Sequence, residues 1–185
     1  MKSFKRYSSV FLITAITSFI STTCFTQMTK QDSLWLPLRV FIGSWQGTGH
    51  GEPGTGEYLR TYQFVLNKKF IETRNKSTYG PTAENPNGEV HEDWGYFSYD
   101  KMRRTFILRQ FHIEGFVNQY KLDSISENGK NLVFVSEAIE NIPPGWRARE
   151  SYEILDSDRI QETFELAEPD KPFSVYSKVL LRRVK

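Results

Sequence analysis

The chain of 185 residues carries 24 Lys and Arg against 22 Asp and Glu, a formal charge of +2, and 15% of it is aromatic. That balance leaves no basic stripe of the kind that nucleic acid demands. Its one cysteine, Cys24, excludes a disulfide framework and a multi-thiolate metal site.

Residues 1–26 read as a signal peptide. Lys2, Lys5 and Arg6 precede an apolar run from Val10 to Ile20, and small polar residues follow. Cleavage is expected after Thr26, leaving Gln27 first. A lipoprotein anchored through Cys24 is the alternative, but Ser21-Thr22-Thr23 is a poor match to the motif that such processing needs. The apolar run is shorter than the ~20 residues of a membrane span. Removing the segment takes Lys and Arg from 24 to 21 against 22 acids, a charge of −1. The expected address is the periplasm or the medium. The remainder, 27–185, is expected to be one domain, which at its length buries roughly 70% of its unfolded surface without disulfides.

In the mature part, Leu34 to Phe41 predicts a short helical turn with Asp32 and Ser33 as caps. Gly43 ends it and opens a strand in which Trp45 is the only large side chain. Gly47, Gly49 and Gly51 leave one face of that strand bare, which suits a sharp bend or the close approach of another backbone. Period-2 alternation then dominates. It runs through Tyr58 to Leu66, Phe70 to Tyr79, His91 to Tyr99, Thr105 to Ile113 and Phe116 to Ser126. It continues through Leu132 to Ile139, Arg147 to Leu155, Arg159 to Ala167 and Phe173 to Val184. Residues 80–88, with Pro81 and Pro86, form a polar loop long enough to act as a flap at a cavity mouth. Ten strands joined by short turns, with no βαβ alternation, predict an all-β antiparallel meander. Closing that meander into a lipocalin-like barrel removes its edges and encloses a cavity.

Two stretches carry a family resemblance. Gly43-Ser44-Trp45-Gln46-Gly47-Thr48-Gly49 and Gly88-Glu89-Val90-His91-Glu92-Asp93-Trp94-Gly95-Tyr96 resemble the opening strand and a later strand of nitrobindin-type heme-binding β-barrels, within the lipocalin and fatty-acid-binding group. The resemblance implies a barrel whose Trp45 plugs one end beneath an arginine of the last strand. Arg183 is favoured over Arg182 because it shares a face with Val175, Val179 and Leu181. It also implies heme held by a histidine of the C-terminal strands. This sequence departs from that pattern, since its histidines are His50, His91 and His112. Tyr176 stands in the corresponding region as a possible iron ligand. The expectation is a protein without stoichiometric heme.

Hairpin arithmetic places the candidate ligand site. Turns at 100–103 and 114–115 and at Asn128-Gly129 set Trp94 opposite Arg109, Arg109 opposite Tyr120, Phe111 opposite Asn118, and Tyr120 opposite Glu137. Trp94, Tyr96, Arg109, Phe111, Asn118, Tyr120 and Glu137 would then line one inner wall. There Arg109 would hold a carboxylate, or else pair internally with Glu137 or Glu92. A one-residue slip would turn the set outward. His50 with Glu52, His112 with Glu114, and His91-Glu92-Asp93 each offer metal-ligand types, but no pair forces a zinc site, and no metal is expected. Glu150 and Glu162 fall on adjoining strands of an apolar face. They could act as an acid–base pair, but no nucleophile motif accompanies them and no catalytic residue is assigned. Asn75-Lys76-Ser77 matches a glycosylation sequon.

The resulting expectation is an exported barrel binding a small, largely apolar ligand with an anionic group. The alternatives are a heme-linked protein and a filled barrel serving as an interaction module.

Overall fold

The computed structural model describes residues 30–83 and 85–185. The expected signal peptide, its cleavage site and Cys24 lie outside the described residues. Ten strands follow two short helical turns: β1 (Gly43–Gly51), β2 (Gly54–Val65), β3 (Phe70–Tyr79), β4 (Glu89–Asp100), β5 (Thr105–His112), β6 (Val117–Ile125), β7 (Asn131–Glu140), β8 (Arg147–Ile154), β9 (Arg159–Ala167) and β10 (Ser174–Arg183). Each strand pairs antiparallel with its neighbours in sequence, and β1 pairs with β10, so the sheet closes into a meander barrel.

The single helical turn expected over 34–41 is two pieces, α1 (Lys30–Leu34) and a 3₁₀ turn (Leu36–Phe41) with Pro37 in its first turn. Proline lacks the N–H that a continuing α-helix would use, so the chain restarts there. The break turns Trp35, Leu38 and Phe41 into one end of the barrel, where each is at most 1% exposed. Trp35 donates its indole N–H to the Lys68 carbonyl at 2.9 Å, and Trp45 donates its own to Phe41 at 2.7 Å.

Arg183 sits over Trp45, its guanidinium carbon 4.2 Å from the ring centroid. The same guanidinium donates to the carbonyls of Ile42 (2.7 Å), Val40 (2.8 Å) and Ser157 (2.9 Å). Two of those carbonyls flank the end of the 3₁₀ turn, where backbone acceptors lack intrahelical partners. Arg183 therefore fastens the plug to the last strand.

The glycines of β1 allow the closure. A Cβ on Gly47 or Gly51 would strike the β10 main-chain oxygens of Leu180 and Tyr176, so the bare face of β1 is where β10 presses against it. Apolar residues of the wall pack above the plug. Tyr62, Phe97, Phe134 and Tyr152 form linked ring contacts with Phe41 at centroid distances from 4.9 to 6.4 Å.

Candidate functional site

The opposite end of the barrel is open. A cavity of about 560 Å³ lies inside it, rimmed by Pro53 after β1, Glu89 at the start of β4, Glu114 and Phe116 between β5 and β6, and Pro143 and Trp146 before β8. Residues 80–88 join β3 to β4 at this end, between the lining residues Tyr79 and Glu89. The upper wall is apolar, with Ile139, Ile142, Phe164 and Leu166, while the floor and one side are polar.

The floor is built around Arg60. Its guanidinium meets Glu162 through Nη2 to Oε1 at 2.9 Å and Nε to Oε2 at 3.4 Å, and donates to the Lys76 carbonyl at 3.2 Å. Burial alone would pull the Arg60 pKa down, but the Glu162 carboxylate overrides it and holds the guanidinium charged. Glu150 lies on the neighbouring strand, 9% exposed, and its Oε2 has no hydrogen-bond partner. Burial pushes its carboxyl well above the usual range, and the charge of Glu162 adds to the shift. Tyr58 and Tyr79 share a hydroxyl contact of 3.0 Å beside this floor.

The polar side wall comes from β4, β5 and β6. Asp93 on β4 accepts from Asn75 Nδ2 at 2.7 Å and from Gln110 Nε2 at 3.3 Å, both through Oδ1. His112 lies directly opposite Asp93 in the β4–β5 register, and His91 lies two residues along β4 on the same inner face. His91 Nε2 is 3.8 Å from Asp93 Oδ2 and 3.3 Å from His112 Nδ1. Behind His91, Nδ1 meets the Glu114 carboxylate at 2.7 Å. Behind His112, Nε2 is 3.2 Å from Asn118 Nδ2, and the ring stacks on Phe116 at 4.1 Å. Burial pulls the His112 imidazole down to about 4, with His91 adding to the shift. Two further buried atoms here have no partner, Gln110 Oε1 and Asn118 Oδ1.

The sequence-predicted ligand residues do not share one wall. Asn118 and Tyr120 face the interior at 2% and 0% exposure, while Trp94 and Phe111 stand outside at 52% and 49%. Tyr96 is also on the outer face, donating its hydroxyl to Glu72 Oε1 at 3.1 Å. Arg109 reaches Gln119 Oε1 at 2.9 Å and Ser98 Oγ at 3.3 Å, not Glu137 or Glu92. Glu137 pairs with Arg103 at 2.5 Å and Glu92 with Lys76 at 3.0 Å.

The cause is register. In β4–β5, Trp94 faces Phe111 and Tyr96 faces Arg109, a two-residue offset from expectation that keeps all four on one face. In β5–β6, Arg109 faces Gln119 rather than Tyr120, a one-residue offset that sends Asn118 and Tyr120 to the opposite side. A bulge after Gln119 then sets Tyr120 opposite Ser136 rather than Glu137.

Other candidates also move. The sequon's Asn75 is 9% exposed and points at Asp93, away from any surface acceptor role. Glu150 and Glu162 are both interior, but Glu162 is held by Arg60 rather than left as half of a free carboxylate pair. Sequence reading missed Arg60 as a site residue. The signal was a lone arginine among the aromatics of Tyr58-x-Arg60-x-Tyr62-x-Phe64. It also treated His91, Asp93 and His112 as separate rim residues, because their meeting depends on cross-strand register.

Tyr176 stands at the place implied for a heme ligand. Tyr176 lines the cavity, edge-on to Phe164 at 5.6 Å. Burial raises its hydroxyl pKa, and nearby Glu89, Glu52 and Glu114 raise it further.

No family model and no curated protein matches the sequence. Among solved structures, the fold is similar to "Crystal Structure of Rv2717c from M. tuberculosis", with a TM-score of 0.57 at 18% identity over 82% of this chain and 98% of that one. A weaker likeness is to EF1p2_mFAP2b bound to DFHBI, with a TM-score of 0.42 at 11% identity over 80% of this chain and 97% of that one. A redesigned β-barrel, b11L5F_LGL, gives a TM-score of 0.41 at 10% identity over 79% and 93%. The first of these likenesses supports the barrel fold.

Proposed function

We propose that the protein is an exported binding barrel whose open end takes a small, largely apolar molecule bearing hydrogen-bond donors. The observation that carries this reading is the sign of the unmet polar groups. Among the described residues, the buried side-chain atoms without a partner are Gln110 Oε1, Asn118 Oδ1 and Glu150 Oε2, all oxygens, and all three residues line the same cavity. An unpartnered buried polar atom costs about 1–3 kcal/mol, so a ligand that donates to the two amide oxygens and pairs with the Glu150 carboxyl gains what the cavity by itself lacks. The apolar upper wall supplies the rest of the contact, in the usual manner of small-molecule sites.

The anionic group was expected to meet Arg109. Arg109 is outside, and Arg60 is already engaged by Glu162. Three interior carboxylates, Asp93, Glu150 and Glu162, surround that one guanidinium, which favours an amine or hydroxyl ligand over a carboxylate. The resemblance to nitrobindin-type barrels supports an interior binding site.

The test is a thermal-shift series with alkyl amines, alkanols and alkyl carboxylates of matched chain length. Mass spectrometry of small molecules that copurify with the barrel accompanies it. Amines and alkanols should raise the melting temperature by several degrees, and the raised response should shrink in Glu150→Gln for amines. Stabilisation by carboxylates alone, or by none of the series, would remove this reading.

A further inference from the structure

We propose that His91, Asp93 and His112 form a binding site for a first-row divalent transition-metal ion of the zinc class, with its remaining position open to the barrel cavity. This inference shares Asn118 Oδ1 with the proposed organic ligand and is carried by the geometry of the three side chains.

The geometry is that of a site rather than of a chance cluster. One ligand atom from each of His91, Asp93 and His112 lies within 4.8 Å of the other two. Metal bonds of about 2.0–2.1 Å in a tetrahedron set their ligand atoms about 3.3 Å apart. The two imidazole nitrogens are 3.3 Å apart, and the His91–Asp93 edge is 3.8 Å. Bringing the remaining edges, none longer than 4.8 Å, to that spacing would complete the set. Two imidazoles and one carboxylate suit zinc, cobalt and ferrous ions rather than calcium or magnesium.

The surrounding residues already orient the ligands. Glu114 accepts from His91 Nδ1 at 2.7 Å, which fixes the proton there and turns the Nε2 lone pair inward. This is the carboxylate–histidine arrangement that supports metal-binding imidazoles. Asn75 and Gln110 hold Asp93 through Oδ1, leaving Oδ2 for the metal.

Asn118 supplies the second, independent observation. In the tautomer that the Glu114 contact favours, His112 donates from Nδ1 to His91 Nε2 across 3.3 Å, and Asn118 Nδ2 donates to His112 Nε2 across 3.2 Å. Asn118 Oδ1 is then left buried without a partner in a residue only 2% exposed. Metal binding moves the His112 proton from Nδ1 to Nε2. A half-turn of the Asn118 amide brings Oδ1 round to accept it, and to accept from the Tyr120 hydroxyl that now lies 2.8 Å from Nδ2. The buried oxygen then accepts from both His112 and Tyr120 in the metal-loaded state. The open coordination position faces the cavity, where water or a donor atom of a bound molecule would complete the shell.

The test is a Co²⁺ titration of the purified protein in a Cys24→Ser background, read by visible d–d absorption, with Zn²⁺ as competitor. One equivalent of Co²⁺ should bind with an intense band of low coordination number, and one equivalent of Zn²⁺ should displace it. His91→Ala and His112→Ala should each weaken binding by 100-fold or more. Glu114→Gln, at the exposed rim, should weaken it about tenfold while leaving the fold and the band shape intact. His50→Ala, on the outer face, should bind as the parent does. Circular dichroism and melting curves establish that each variant is folded. Absence of a stoichiometric d–d band in the parent, or full binding retained in folded His112→Ala or Glu114→Gln, would overturn the proposal.

Discussion

The two ends of this barrel are made by the same strands and differ in almost every physical respect. At the plugged end, Trp35, Leu38, Phe41 and Trp45 are each at most 1% exposed, and both indole N–H groups have carbonyl partners. At the open end, the inner face carries two histidines, three carboxylates, and the three buried oxygens that have no partner. A closed end that satisfies every indole and an open end that leaves acceptors unmet divide the labour. Stability is concentrated below, and the unfulfilled hydrogen bonding is concentrated where a ligand could enter.

The sharpest way to break the contrast is Trp45→Ala. It should cost about 3–5 kcal/mol through the lost ring and the cavity it leaves, read as a fall in the denaturant midpoint. It should leave the spectroscopy of the open end little changed if the molecule remains folded.

Arg60→Met comes next, at about 3 kcal/mol, because it strands Glu162 beside Glu150 without a cation. The double change Arg60→Met with Glu162→Leu should recover most of that loss. A double variant as unstable as the single one would mean that Arg60 acts through packing rather than through its pair.

Glu150→Gln should act in the opposite sense. A carboxyl whose folded pKa is raised binds its proton more tightly when folded, so the folded state loses stability as pH rises above the ordinary glutamate range. The substitution should therefore stabilise the protein by about 1–2 kcal/mol at pH 8 and by less at pH 5. Melting curves at the two pH values check it, and a pH-independent difference would contradict the assignment.

The smallest effect belongs to Arg109→Met. With its guanidinium on the outer surface, the change should alter stability by no more than about 0.5 kcal/mol. It should leave every thermal shift caused by an interior ligand unaltered. A lost ligand response in this variant would place the site on the outer wall.

Strand count, closure and the plug were readable because each rests on a local signal. Alternation gave the strands, alternate glycines gave the crowded face of β1, and the face shared by Val179, Leu181 and Arg183 pointed to the contact with Trp45. The ligand site was less readable because it depends on facing, and facing passes from strand to strand through loop lengths. One residue in the turn between Phe111 and Val117 moved Asn118 and Tyr120 inward while Arg109 stayed out. The bulge after Gln119 displaced Glu137 in the same way. A local cue did exist on β4. Gly95 between Trp94 and Tyr96 belongs to the run Asp93-x-Gly95-x-Phe97, and the interior needed that smaller series. The large aromatics drew attention to the wrong face because outer walls also carry them, here stabilised by Arg74 lying 3.8 Å over Trp94.

Arg183 has one more consequence, and it concerns the order of events during synthesis. Its guanidinium binds carbonyls 141 and 143 residues earlier in the chain, and β10 provides the only partner for the free edge of β1. Nine strands can zip as successive hairpins while the polypeptide emerges, but the barrel stays an open, two-edged sheet until β10 is released. Closure is thus a late step of high contact order. A chain halted before Val179 would keep both edges available to other molecules. The arrival of β10 then decides between a sealed container and a sticky ribbon.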